Sequence, residues 1–127
     1  MSKVNWCDRT MLLGPYYCLV TTHEQFKQEL KRLGIAKRDW PDYRPQQDAT
    51  CYPLENQDGK SAFIVAIRNW QGRNPVEVAG LLVHEATHVM QHTMRIIGEN
   101  EPSSEFEAYM MQNISANLMQ AFVEQTL

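Results

Sequence analysis

An α+β fold is predicted by three observations: two β-branched stretches around a turn in mid-chain, helix-spaced apolar residues over the C-terminal part, and cap residues at the matching boundaries. The expected architecture is a small sheet of about three strands, one N-terminal helix and two C-terminal helices. The first element follows Gly14-Pro15, where Tyr16 to Thr21 reads as a strand. Thr22 then caps a helix, because Gln25 stands three residues on in capping-box spacing. Phe26, Leu30 and Leu33 give this helix an apolar stripe. Lys27, Glu29, Lys31 and Arg32 are expected to face water, and Gly34 ends the helix. Residues 36–48, with Pro41 and Pro45, read as a loop.

Thr50 to Leu54 and Ala62 to Ile67 read as two strands of a hairpin, joined through Asn56-Gln57-Asp58-Gly59. Asn74-Pro75-Val76-Glu77 supplies an N-cap, a first-turn proline and a capping-box glutamate. Helix is expected from there to Gly98. The run Val78-Ala79-Gly80-Leu81-Leu82-Val83 makes this a central helix, apolar on all sides. A last helix starts near Ser104, with Phe106, Met110, Ile114, Leu118 and Phe122 as its core-facing stripe.

The 127 residues form one domain, 1–127, with room for a single core. A net charge of −3 with interspersed signs carries no basic footprint, so no nucleic-acid partner is expected. No membrane span and no leader peptide are expected, since no stretch is long and apolar enough. Cys7, Cys18 and Cys51 are odd in number and lack a paired spacing, which suggests reduced, mostly buried thiols and a cytoplasmic location. Trp6, Trp40 and Trp70 are too scattered to form a motif, and His23 has no metal-site neighbours in sequence.

Chemistry concentrates in His84-Glu85-Ala86-Thr87-His88, inside the central helix. A spacing of four puts both imidazoles on one face, one turn apart, within reach of one metal ion. Neutral imidazole suits Zn²⁺. Glu85 lies about 100° round the helix from His84 and about 60° from His88, placed to take a proton from a zinc-bound water as it attacks a carbonyl. A catalytic zinc takes three protein ligands, and Glu105 and Glu107 are the candidates for the third, 17 and 19 residues after His88. Ser104 and Glu107 have capping-box spacing, which gives Glu107 a structural task and leaves Glu105 as the preferred ligand. His92 extends the line of histidines by one more turn and reads as a polar rim residue.

These residues resemble the gluzincin group of zinc peptidases, in which an HExxH helix is followed by a glutamate ligand on a later helix. The closer likeness is to small phage and bacterial metallopeptidases, carried by His84-Glu85-Ala86-Thr87-His88-Val89-Met90-Gln91 and Glu105-Phe106-Glu107-Ala108-Tyr109. It covers roughly residues 62–115. The resemblance implies a minimal zincin-like domain in which His84, His88 and Glu105 hold zinc and Glu85 is the catalytic base. It also implies that the strand before the active helix, Ala62 to Ile67, lines the cleft and pairs with an extended peptide. The downstream lobe of larger gluzincins is not expected here. Tyr109 stands where thermolysin-like enzymes have an aspartate, which leaves three roles open: support of the histidines, stabilisation of the oxyanion, or packing as a core tyrosine.

The expected activity is zinc-dependent hydrolysis of peptide bonds in a peptide or protein substrate. Two rivals are a zinc-stabilised protein-binding module without turnover, and an enzyme acting on a non-peptide amide. Retention of Glu85 argues against the module, because a structural zinc has no use for a base.

Overall fold

A computed structural model describes residues 3–7 and 14–127. In chain order the elements are β1 (Tyr16–Val20), α1 (His23–Arg32), a 3₁₀ turn (Lys37–Asp39), β2 (Ala49–Glu55), β3 (Ser61–Ile67), α2 (Pro75–Ile97) and α3 (Ser104–Thr126). This is the expected α+β arrangement of three helices and three strands. Local chemistry explains most boundaries. Thr22 accepts from Gln25 N at 3.1 Å while Gln25 reaches back to Thr22 N at 3.2 Å, the reciprocal bonds of a capping box. Asn56 Oδ1 accepts from Asp58 N and Lys60 N, closing the hairpin turn, with Gly59 at φ 77°. Gly98, at φ 76°, stops α2 with Gly98 N and Glu99 N donating to Arg95 and Met94 carbonyls.

The sheet order is β1-β3-β2, with β3 parallel to β1 and antiparallel to β2. The central strand is covered on both faces, and Ile64, Val65, Ala66 and Ile67 are fully buried. Phe63, Val65 and Ile67 face one cluster with Val78, Leu82, Ala86 and Val89 of α2 and Met110, Ile114 and Leu118 of α3. Ile64 and Ala66 face the other, with Phe26 and Leu30 of α1 and Tyr52 of β2. A mixed sheet therefore lies between α1 on one side and the α2–α3 pair on the other. No helix among the described residues is long and apolar enough to cross a membrane.

Four expectations change. Ala62 to Ile67 is the central strand, hydrogen-bonded on both sides, so it has no free edge to offer a peptide; the edge beside α2 belongs to β2. Glu29 does not face water. It is 2% exposed, accepting from Trp6 Nε1 at 2.7 Å and lying 3.6 Å from Arg32, a partnership the local pattern of α1 cannot reveal. Asn74 caps α2 as expected, accepting from Val76 N, but Glu77 pairs with Arg73 instead of serving a capping box. Helix α2 is not buried all round: Gly80 and Val83 are exposed while Val78 and Leu82 pack inward. One long face of α2 is thus left open, and that face carries the histidines.

Candidate metal centre

His84 and His88 project from the open face of α2, with Nε2 atoms 3.2 Å apart and ring planes at 73°. Glu85, between them in sequence, turns inward and is 3% exposed. One ligand atom from each of the three lies within 4.8 Å of the others, so this group could hold a metal ion. The donor set passes a simple geometric test. Two nitrogens bound tetrahedrally at 2.0–2.1 Å stand about 3.3 Å apart, close to the observed separation. The same distance accommodates an N–H···N hydrogen bond between neutral rings, so an ion would replace a proton there with little movement.

The electrostatics separate the carboxylate from its neighbours. Burial pushes the Glu85 pKa above the ordinary carboxylate value, while His84, His88 and Arg68 pull it back. No described residue engages Glu85 in a hydrogen bond or ion pair, but its carboxylate oxygens still reach solvent; the enclosed side-chain polar atoms without a partner are Arg68 Nε and Thr93 Oγ1. A largely buried carboxylate whose oxygens open toward two imidazoles leaves room for a water or an ion between them, and groups so perturbed concentrate at functional sites. Helix α2 holds it there because Ala86 and Val89 lock the helix onto the core. Cys51 of β2 feels the same negative charge; burial first and Glu85 second push its thiol up to about 12.

Glu105, Glu107 and Tyr109 stand apart from this group. All three are exposed, Tyr109 by 54%. The first turn of α3 lies beside the end of α2, where Glu107 shares a concavity with Gln91, Met94 and Arg95. The C-terminal part of α3 returns to the start of α2, where Met119 and Phe122 meet Val78 and Ala79. The helices are therefore antiparallel, and Met94 is about 9 Å along the axis from His88. The α3 cap is Ser103, which accepts from Phe106 N at 3.2 Å. Glu107 consequently has no capping task, and the reason for preferring Glu105 falls away. Glu107 lies three residues before buried Met110 and so faces α2, whereas Glu105 shares the outer face with Tyr109.

A concavity of about 610 Å³ adjoins the histidines, lined by Asp48, Arg73, Glu77 and Gly80 as well as His84 and Glu85. Asp48 and Arg73 form an ion pair at 2.9 Å across its wall. Nothing in the sequence places Asp48 here, since it lies 36 residues before His84. The more apolar cavity near Trp70, Leu82 and Phe122 contains no histidine or carboxylate lining, so the chemistry lies elsewhere. Comparison of the chain with family models, curated proteins and solved structures finds no match.

Proposed function

We propose that the chain is a zinc-dependent hydrolase of peptide bonds, built as a minimal zincin-like domain, with His84 and His88 as ligands and Glu85 as general base. The observation that supports it most is the pairing of two solvent-reaching imidazoles with one buried, unpartnered carboxylate. A zinc ion bound by the imidazoles would supply a Lewis acid for the scissile carbonyl and acidify a coordinated water. His84 and His88 contribute neutral nitrogens fixed by one rigid helix. Glu85 accepts a proton from the attacking water at its carboxylate oxygen and returns it to the departing amine. Arg73 and Asp48, at the rim, orient substrate beside His84.

The third protein ligand is proposed to be an acid of the first turn of α3. Glu105 is the choice by resemblance and Glu107 the one facing α2; either reaches the pair only if that turn moves toward His88. Metal analysis tests the reading. Protein prepared without chelator should hold about one zinc, lost in His84→Ala and in His88→Ala, and should cleave peptide mixtures only in the metal-loaded form. Full zinc content in both variants would refute the site. Zinc at full occupancy with no cleavage of any peptide would favour a binding module.

A further inference from the structure

We infer that a separate concavity between β2 and α2, beyond His88, is a subsite for a carboxylate of the substrate, anchored by Arg95 and His92; this rests on the hydrolase reading above. The two residues follow the histidine pair on the same helix, one and nearly two turns on. Together with Pro53, Glu55, Phe63 and Ile96 they line a concavity of about 270 Å³. The floor is apolar: the His92 ring lies 5.8 Å from that of Phe63, and Ile96 is 53% exposed with nothing covering it.

The polar groups that α2 presents above this floor are donors, with Glu55 as the acid at the strand rim. Arg95 Nη1 stands 3.5 Å from His92 Nδ1. A guanidinium only donates, so Nδ1 accepts and the ring proton belongs on Nε2, which leaves a second N–H for a ligand. Burial, Arg95 and His88 lower the His92 pKa, which favours the neutral ring. Among the described residues Arg95 enters no ion pair, although Glu55, Glu99 and Glu107 line the concavities on its two sides. Its charge is therefore uncommitted, and a guanidinium beside an imidazole N–H over an apolar floor suits a carboxylate attached to a hydrocarbon stem.

The facing strand adds an independent reason. Pro53 has no N–H, so a peptide lying along the β2 edge meets a missing main-chain donor there. His92 and Arg95 stand across the same concavity, supplying side-chain donors where the edge has none. Arg95 is seven residues beyond His88, about 10 Å along the helix. An extended peptide covers that in about three residues. The carboxylate therefore sits two to three residues from the scissile bond, on one side only. Glu55 at the far rim disfavours a second acid beyond it.

The test uses zinc-loaded wild-type protein and acetylated octapeptide mixtures with one position fixed as Glu, Gln or Lys, in free-acid and C-terminally amidated forms. Cleavage products and peptides retained on the immobilised protein are both read by mass spectrometry. Glu at a single position two to three residues from the cut should be favoured about ten-fold over Gln, the scale of one charge-assisted hydrogen bond. If the source is instead the chain terminus, the preference follows the free-acid arm and is lost on amidation. Arg95→Gln should abolish the preference and Arg95→Glu should transfer it to Lys, with melting temperatures unchanged because Arg95 makes no ion pair. Cleavage with no acid preference overturns the subsite and leaves the hydrolase standing. Arg95-dependent retention of acidic peptides without cleavage supports the subsite and refutes the hydrolase. Absence of acid preference in both readouts overturns the subsite.

Discussion

Glu29 of α1 and Glu85 of α2 approach the sheet from opposite sides, each on a helix and each at most 3% exposed. Glu29 is supplied with a donor from Trp6 and a cation from Arg32. Glu85 receives neither, and its nearest polar neighbours are two imidazoles whose nitrogens face solvent. The same side of the sheet as Glu29 also holds Arg68, 5% exposed and bonded to Thr50, Tyr52 and the carbonyls of Tyr43 and Gln47. On that side buried charge holds the fold together: Arg68, with only its Nε left without a partner, ties loop 43–47 to β2, and Glu29 ties the N-terminal segment to α1. On the other side the fold supplies Glu85 with no partner, and its carboxylate oxygens stay open to solvent beside the imidazoles. Burial alone does not distinguish a scaffold group from a chemical one; the state of its hydrogen bonds does.

The largest expected effect tests that contrast directly. Glu85→Gln keeps size and burial and removes the base, so peptide hydrolysis should fall by about 10²–10⁴-fold while zinc content survives. Glu29→Gln should leave hydrolysis unchanged. Loss of zinc in Glu85→Gln would make Glu85 a ligand and erase its distinction as a base.

Next in size is the third ligand. Zinc titration of Glu105→Ala and Glu107→Ala should show one of them weakened by about 10²-fold or more, the other by less than about three-fold. The antiparallel α2–α3 pairing favours Glu107 as the sensitive position, whereas resemblance favours Glu105. Two insensitive variants would remove α3 from the metal site altogether.

Stability gives a smaller, opposite-signed pair. Glu29→Leu strands the buried Trp6 N–H and should cost about 1–3 kcal/mol in a denaturant melt. Glu85→Leu, in chelated protein, removes an unpartnered carboxylate and should stabilise. The pH dependence follows. Glu85 titrates higher folded than unfolded, so between the two values the folded state binds the extra proton. Its contribution makes metal-free protein less stable as pH rises from about 4.5 through the raised folded value, and Glu85→Gln should flatten that slope. An unchanged slope would mean the carboxylate is not desolvated.

Much of this was legible in local sequence, because caps and turns are decided by neighbours. Thr22 with Gln25, Asn74 with Pro75, and Gly98 all mark real boundaries. The i, i+4 histidines needed only helix geometry to be brought together. What failed depended on distant partners. The partner of Glu29 is 23 residues away, and strand order is fixed by how the chain crosses over, which the hairpin alone does not reveal. Ser103 took the cap expected of Ser104, a shift of one residue that relieves Glu107 of its capping task. The site's core was therefore readable, and its rim, with Asp48, Arg73 and Arg95, was not.

The smallest expected effect reports on the Glu85 charge without any substrate. Cys51 of β2 has a thiol pushed up to about 12, by burial first and by Glu85 second. At pH 8 such a thiol is ionised roughly a thousand-fold less than an exposed one, so iodoacetamide should modify it slowly in native protein and rapidly in urea. Glu85→Gln removes only the second cause, and the alkylation rate of Cys51 should then rise by roughly two- to ten-fold. Glu29→Gln is the control, because Glu29 raises the thiol of Cys18 on the other side of the sheet and does not act on Cys51. Zinc bound at His84 and His88 should also speed Cys51, by placing positive charge beside the carboxylate, so chelation should slow it again. A Cys51 rate indifferent to Glu85→Gln would mean that the carboxylate carries its proton at pH 8. It would then enter catalysis as an acid rather than a base.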